Sequence, residues 1–472
     1  MPNIVLIGAG LAGSLLSIYL ARRGFQIDVY ERRPDMRKTI ISAGRSINLA
    51  LSTRGLHALK DVGLYDDIMK IAIPMKGRII HSITGELTFQ RYGRDDTEVI
   101  YATSRAQLNM ALMDAAERSP GVRFHFNQRC TGMEFKSGDV FLRDEMNGEA
   151  RTIRADTVIG TDGSASAIRM GMQNIGLLTL SESYLEYGYK ELMITPGPDG
   201  RFLSEKNALH IWPRTTYMLI ALPNLDGSFT CTFFFRSKGE VSFESLDTRD
   251  KVFDFFKQQF PDAVPLMPTL VDDFFSNPTG TMVTIKCSPW HVENKVALLG
   301  DAAHAIVPFF GQGMNCAFED CTILDEIIGR RETGNRKPET GDRPARRSRA
   351  QGDEGGRPEW KSIFQEYENA RKVNTDAIAD LAVENFTEMR DLVAQLKFQL
   401  RKKVEQALQM KWPGRFIPKY SMVTFHRIPY SVALKKGKIQ DRILQELVES
   451  IDKVEQLDWA KADRLIREQL GS

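Results

Sequence analysis

The stretch Asn3-Ile4-Val5-Leu6-Ile7-Gly8-Ala9-Gly10-Leu11-Ala12-Gly13 decides the fold. Its first five residues predict a strand, and Leu11, Ala12, Leu15, Leu16 and Tyr19 then follow at helical spacing. Between strand and helix stand Gly8, Gly10 and Gly13, the spacing of a dinucleotide-binding turn. Such a turn requires glycine because a pyrophosphate must approach backbone N–H groups at a helix N-terminus, where a Cβ would intrude. A second strand, Ile27 to Tyr30, is followed by Glu31, placed where a carboxylate can hold a ribose hydroxyl. Taken alone, this unit fits an NAD fold.

Two later segments narrow the reading. One is Val158-Ile159-Gly160-Thr161-Asp162-Gly163, with Arg169 after it; the other is Leu298-Leu299-Gly300-Asp301-Ala302-Ala303-His304. Asp301 ends a predicted strand, so its carboxylate points into the crevice above the sheet, where ribityl hydroxyls could donate to it. A charge-assisted bond of that kind contributes roughly 1.5–3 kcal/mol. On its own Asp301 would read as a cap on the next helix; the upstream glycines tip the balance. Downstream, Pro308-Phe309-Phe310-Gly311-Gln312-Gly313-Met314-Asn315 opens another helix, whose N–H groups suit the negative charge of a reduced flavin. The plainer alternative, a hydrophobic turn between helices, seldom needs two glycines flanking a glutamine. The three segments, in this order, resemble the FAD-dependent aromatic hydroxylases. The resemblance implies an α/β fold: a Rossmann-like FAD-binding domain, an antiparallel-sheet substrate domain and a C-terminal helical region.

Composition agrees with a large enzyme. The 472 residues are enough for two or three domains with their own cores. Lys and Arg number 63 against 61 Asp and Glu, so no net field draws the chain to nucleic acid or an anionic membrane. Cys130, Cys231, Cys287, Cys316 and Cys321 have neither zinc spacing nor a CxxC pair, as suits buried thiols in a reducing compartment, and a cytoplasmic location is expected. The N-terminal apolar run leads directly into the glycine turn and reads as a strand, not a signal peptide. No run of about 18 uncharged apolar residues predicts a membrane span.

Along the chain, a short helix is expected around Arg54 to Val62, and Ser104 with Gln107 forms a candidate capping box for the next helix. Leu209 to Trp212, Tyr217 to Leu222 and Phe229 to Phe235 predict strands of an antiparallel sheet, and helical periodicity dominates from Trp360 onward. The expected division assigns 1–75, 98–178 and 279–372 to FAD, 76–97 and 179–278 to a substrate-binding sheet, and 373–472 to helices. Residues 330–357, rich in Arg, Gly, Pro, Glu and Asp, predict a mobile surface loop with its arginines Arg343, Arg346, Arg347 and Arg349 solvated.

A narrower resemblance rests on Gly44 to Leu51, Tyr101 to Asn109, Gly300 to Asp320, Asn385 to Arg390 and Tyr420 to Phe425, which are similar to segments of the kynurenine 3-monooxygenase family. That resemblance implies a carboxylate-binding Arg78 partnered by Tyr92, with Asn385, Glu388 and Tyr420 supplied from the C-terminal region. A guanidinium suits the role because its planar fork meets both carboxylate oxygens. Without the family, each of these would read as an exposed or edge residue; Asn385 and Glu388, three apart, would share one helix face. For FAD, bound tightly, the resemblance carries onto Ala12, Tyr30, Glu31, Arg32, Arg33, Ala50, Arg105, Cys130, Ala167, Asp301, Met314 and Asn315, beside Gly8, Gly10 and Gly13. Several would act through backbone atoms; Arg105 could reach the flavin's polar edge, or form a core salt bridge instead. Pro308, Phe309, Gly311, Gln312 and Gly313 would form the loop beside the isoalloxazine.

The implied reaction converts L-kynurenine to 3-hydroxy-L-kynurenine with O2 and NADPH, through a flavin C4a-hydroperoxide, in tryptophan degradation toward quinolinate. No protein nucleophile is required. With a single dinucleotide fingerprint, taken by FAD, NADPH visits as a transient co-substrate. Two alternatives stay open: a related hydroxylase of another aromatic acid, and a flavoprotein reductase with no oxygenase step. Eukaryotic members carry an apolar C-terminal anchor; here Lys435 to Ser472 has the pattern of an amphipathic helix that packs on the protein, so no membrane anchor is expected. A homodimer is compatible with everything read so far.

Overall fold

The computed structural model describes residues 3–38, 48–334, 359–393 and 395–471. The strand Asn3–Ile7 lies inside a six-stranded sheet ordered His291–Val292, Val296–Leu298, Thr157–Gly160, Asn3–Ile7, Gln26–Tyr30, Val122–His125. Every neighbouring pair is parallel except the one made by His291–Val292. Ile7 lies opposite both Gly160 and Tyr30, and Gly160 lies opposite Leu298. Parallel strands in register end on one edge, so the Gly8 turn, Glu31, Thr161 and Gly300-Asp301 emerge side by side although they are far apart in sequence.

The helix Leu11–Arg22 follows directly and is buried almost all round, because helices Arg105–Glu117 and Gly313–Gly334 pack against it. That enclosure explains the absence of a polar face in Leu11 to Leu20. Ser104 caps the helix Arg105–Glu117, its hydroxyl accepting from Gln107 N at 3.4 Å. The short helix after the second strand runs Thr53–Asp61.

A seven-stranded sheet forms the second layer, in the order Gly280–Ser288, Thr179–Ile194, Phe229–Arg236, Met218–Pro223, Ala208–Pro213, Gly77–His81, Leu87–Arg91. Its neighbours are antiparallel apart from Ala208–Pro213 with Gly77–His81. Side chains alternate between two buried faces. Leu209, Ile211, Met218, Leu222 and Phe234 join one core with the C-terminal helices, while Trp212, Leu219, Phe233 and Phe235 join another with helices Arg249–Gln259 and Leu270–Ser276. Burial on both faces is why Phe233, Phe234 and Phe235 run on without a polar residue between them.

The C-terminal region contains helices Trp360–Thr387, Leu396–Lys411, Lys419–Thr424, Tyr430–Val448 and Trp459–Leu470. The amphipathic pattern of its last part is satisfied internally: Ile443, Leu444, Leu447, Leu465 and Ile466 pack with Val404, Leu408 and Phe416. No helix among the described residues is long and apolar enough to cross a membrane. One expectation needs correction. Residues 330–334 are not loop but the last turn of Gly313–Gly334, where Arg330 and Arg331 reach Glu366 of Trp360–Thr387 at 2.8 and 2.9 Å. The rest of that segment, with its four arginines, lies outside the described residues, as do Gly44 to Ile47.

A buried ionic network joins these parts. Asp320 accepts from Gly300 N at 3.2 Å, from His304 Nε2 at 2.6 Å and from Arg371 Nε at 2.7 Å. Arg371 Nη1 also donates to Glu319 at 2.6 Å, and Glu319 in turn accepts from Arg54 Nε at 3.0 Å. Arg54 then donates to the carbonyls of Val423, in the last turn of the Lys419–Thr424 helix, and of His426 and Ile428 beyond it. Burial pushes the Asp320 carboxyl up, but His304 and Arg371 beside it prevail and hold it below the usual carboxylate range. A carboxyl whose folded-state pKa is depressed stabilises the fold above the unfolded value, about 4, and that stabilisation is lost as pH falls through the folded value. Asp320→Asn is therefore expected to cost about 3–5 kcal/mol at neutral pH by removing the anion from a buried pair with Arg371. The gap in thermal midpoint between the variant and the unsubstituted protein should narrow as the buffer is taken below about pH 4.

Candidate active site

At the shared strand edge the glycines divide into two kinds. A Cβ on Gly8, whose φ is +106°, would stand 2.7 Å from Thr161 O, and one on Gly13 would stand 2.0 Å from Gly8 O. These two let backbone pack on backbone. Around Gly10 a Cβ would meet nothing within 4 Å, so the fold itself does not need glycine there. Gly10 is the N-cap of Leu11–Arg22 and leaves the helix start without a side-chain cap, an arrangement that fits a pyrophosphate accepting from those N–H groups. Glu31 lies beside the same turn, its carboxylate accepting from Ala9 N at 2.9 Å and Arg33 N at 3.0 Å. The cradle thus fits the adenosine and diphosphate half of FAD.

The edge leads into a cavity of about 280 Å³ beneath the seven-stranded sheet. Asp301 lines it; Gly300, at φ +64°, takes the cap position and leaves the Asp301 carboxylate free of that duty. Pro308, Phe309, Phe310 and Gly311 form its floor, with Ala50 beside them. Gly311 has φ +63°, and a Cβ there would come within 3.0 Å of Ala50 Cβ. Gln312 and Asn315 hold this loop from behind. Asn315 Oδ1 accepts from Ser52 N at 2.9 Å while its Nδ2 donates to Ala50 O and Gly311 O, both at 2.8 Å. Gln312 is bound by Ser52 and by the Tyr430 hydroxyl, which donates to it at 2.9 Å.

At the far end of the same cavity stand Arg78, Tyr92, Asn385 and Tyr420. Arg78 rises from the Gly77–His81 strand, and its Nε donates to Gln90 Oε1 at 3.0 Å across the hairpin. Tyr92 and Tyr420 stack at 5.2 Å between ring centroids, and Phe310 stacks on Tyr420 at 5.5 Å. Asn385 Nδ2 donates to Phe309 O at 2.7 Å, which couples it to the loop. Glu388 opens a π-helical turn, Glu388–Leu392, that continues Trp360–Thr387. Unlike the other four, Glu388 does not line this cavity but an adjoining one that shares Arg78, Tyr92 and Tyr420 with it, and its Oε1 is 3.7 Å from Arg78 Nη2. π turns of this kind recur at functional sites because they re-aim side chains. Burial pushes the Glu388 carboxyl up, yet Lys402, Arg78, Lys419 and Arg401 together hold it below its ordinary value, so it is an anion at neutral pH.

Other expected residues lie apart from this cavity. The Tyr30 ring stacks on His125 at 4.5 Å, while Arg32 and Arg33 are exposed beyond Glu31. Cys130 is buried in Gln128–Glu134, its thiol pushed up to about 12 by burial. Ala12 is on the first turn of its helix, Met314 is buried, and Ala167 N donates to Asp162 Oδ2 at 2.7 Å. Arg105 is exposed and not in a core salt bridge; its charge is felt by Tyr189 and Glu191. Sequence reasoning did not single out Leu209, Ile220, Phe234 or Met282, which wall the cavity, although strand alternation carried that information for the first three.

Residues 2–352 match the model of an FAD binding domain family. Over 468 residues the chain is 51% identical to the kynurenine 3-monooxygenase of Myxococcus xanthus, covering 99% of this chain and 95% of that protein. It is 46% identical over 470 residues to that of Dictyostelium discoideum, covering 99% and 98%. The chain belongs to the kynurenine 3-monooxygenase family. Among solved structures, the tetrameric form of 2-methyl-3-hydroxypyridine-5-carboxylic acid oxygenase superposes with a TM-score of 0.62 at 18% identity, covering 87% of this chain and 98% of that one. At that identity the likeness is one of fold.

As a kynurenine 3-monooxygenase family member the chain is an FAD-dependent hydroxylase that uses a reduced nicotinamide. The two kinds of glycine make a discriminating pair of variants. Gly13→Ala should fail to fold or lose several kcal/mol, because backbone cannot yield the missing space. Gly10→Ala should fold normally, as read by circular dichroism, and yet purify with most of its flavin absorbance lost.

Proposed function

We propose that this chain hydroxylates L-kynurenine at the ring carbon ortho to the amine, giving 3-hydroxy-L-kynurenine, with NADPH and O2 as co-substrates. One observation carries the reading: Arg78, Tyr92, Asn385 and Tyr420 share a single cavity with Asp301 and the Pro308–Gly311 loop. Segments 1–75, 98–178 and 279–372 hold the flavin in this reading, 76–97 and 179–278 cover the substrate, and 373–472 closes the end. Its five unpaired thiols suit a cytoplasmic setting, and its place is in tryptophan degradation.

FAD supplies the oxygen activation and the transfer of an oxygen atom to the ring. The protein's residues do the rest. Gly10 and the start of Leu11–Arg22 receive the diphosphate, Glu31 the adenosine ribose and Asp301 the ribityl chain. Arg78 takes the substrate carboxylate, Glu388 faces its ammonium, and Tyr92, Asn385 and Tyr420 surround the tail. Leu209, Ile220, Phe234 and Met282 leave the ring an apolar slot that excludes water. Because the aniline nitrogen already activates the target carbon, holding that carbon in place is the main contribution the protein can make.

Incubation of the flavin-loaded protein with L-kynurenine, NADPH and O2 should yield a product heavier by one oxygen, identified by mass spectrometry as the 3-hydroxy isomer; NADPH oxidation without that product would refute the assignment. Arg78→Ala should raise the KM for kynurenine by about 100-fold or more, as expected when a buried carboxylate partner is lost, while flavin content stays unchanged.

A further inference from the structure

The charges at the tail-binding end form a chain, not a pair. Lys402, on the helix Leu396–Lys411, places its Nζ 3.5 Å from Glu388 Oε1 and 3.2 Å from Glu405 Oε2. The Glu388 oxygen nearest Lys402 is the same one that lies 3.7 Å from Arg78 Nη2. Glu388 is therefore shared between two cations. The Arg78 contact is too long for a hydrogen bond and lacks the fork-on-fork geometry that an arginine and a carboxylate adopt when nothing restrains them. The Lys402 ammonium, slightly nearer, competes with Arg78 for that one oxygen.

We propose that Lys402 is a positioning residue: it draws the Glu388 carboxylate away from Arg78, so that the guanidinium stays open to a substrate carboxylate and Glu388 stays open to a substrate ammonium. The inference rests on the kynurenine reading above and assigns the amino-acid selectivity of that site to a residue outside the set carried over from the family. Removing the ammonium lets Glu388 close on Arg78, and the two then neutralise each other where the substrate tail should sit.

Three observations support it. First, Lys402 and Glu388 both line a second cavity, of about 400 Å³, on the outer side of the Arg78, Tyr92 and Tyr420 layer, whereas Arg78 lines that cavity and the inner one. Lys402 thus acts on Glu388 from the outer side while the guanidinium still faces the inner cavity. Second, Arg78 is held through its Nε by Gln90, so its Nη2 is the side left to a carboxylate. Third, burial pulls the Lys402 ammonium down, but Glu388 and Glu405 outweigh it and hold the group above its ordinary value. Lys402 and Glu388 are therefore both ionised at neutral pH.

The test is a double-mutant cycle on the flavin-loaded protein: Lys402→Met, Glu388→Gln, both together, and Lys402→Arg as the conservative control. Two ligands are titrated by their perturbation of the flavin spectrum: L-kynurenine, and its desamino analogue 4-(2-aminophenyl)-4-oxobutanoate, which keeps the carboxylate and lacks the ammonium. Lys402→Met should weaken both ligands by about tenfold, leave kcat for kynurenine within about twofold and keep flavin content unchanged; Lys402→Arg should restore binding. In the Glu388→Gln background no carboxylate remains to quench Arg78, so Lys402→Met should leave the analogue's affinity within about twofold. Equal losses in both backgrounds would overturn the proposal, because Lys402 would then act by direct contact or by packing. Unchanged binding in Lys402→Met alone would overturn it too. If Lys402→Met does not fold, Lys402→Gln in the same two backgrounds gives the same comparison. Failure of the kynurenine reading shows separately, as absence of hydroxylated product from the unsubstituted protein.

Discussion

The contact between Gly8, Gly13 and Thr161 governs how this molecule is assembled. Thr161 N donates to Ile7 O at 2.9 Å, and its hydroxyl is 2.8 Å from Gly8 O. Gly8 N donates in turn to Tyr30 O at 2.8 Å, and Leu299 N to Gly160 O at 2.9 Å. Four strands are thereby stitched together at their carboxyl ends through backbone atoms and the Thr161 hydroxyl. The edge that results is where a helix N-terminus, a ribose-facing carboxylate and Asp301 converge. A flavin can be gripped by scattered segments because that stitching fixes their spacing to within a hydrogen-bond length.

The second layer poses a different problem. A sheet that is apolar on both faces must be covered on both, and the C-terminal helices cover one of them. That arrangement brings Asn385, Glu388 and Tyr420 over the Gly77–His81 strand. It also obliges charged residues to sit within a largely apolar junction, where an unpaired ion is costly. The molecule answers with chains of alternating charge: Arg54, Glu319, Arg371 and Asp320, the last also bonded to His304, behind the Pro308–Gly311 loop, and Arg78, Glu388, Lys402 and Glu405 at the end proposed for the substrate tail. The first chain is closed by short contacts and reads as structural. The second has its longest link at Arg78.

Much of this was legible in the sequence, and for physical reasons. Strands such as Asn3–Ile7 and Phe229–Arg236 announce themselves because they are apolar and bounded by turn residues, and the glycine turn because backbone conformation admits few alternatives there. Asp301 could be placed from its position after a strand. What could not be read was the role of groups defined by partners distant in sequence. Asn315 stood out as an FAD-binding residue and Gln312 as part of the flavin loop, but that their side chains bond to Ala50, Gly311, Ser52 and Tyr430 could not be read. Arg330 to Gly334 looked like loop because charge density there hides a helix face paired with Glu366. Lys402 gave no signal at all, since one lysine on an amphipathic helix resembles any other until its neighbours are known.

The long Arg78–Glu388 link has a consequence for how a zwitterion would bind. Each charge in this chain has a neighbour of opposite sign, so neither Arg78 nor Glu388 is stranded. On the reading proposed above, an amino acid entering between them would replace one weak contact by two strong ones, its carboxylate on Arg78 and its ammonium on Glu388. The number of buried charges would rise by one of each sign, and the alternation would be preserved. A simple aromatic carboxylate could not do this: it would satisfy Arg78 and leave Glu388 near its anion, a like-charge contact that costs several kcal/mol in an interface of this kind. On that reading, selectivity for an amino-acid tail over a bare acid would follow from the asymmetry, with repulsion rejecting the wrong ligand as much as attraction selects the right one.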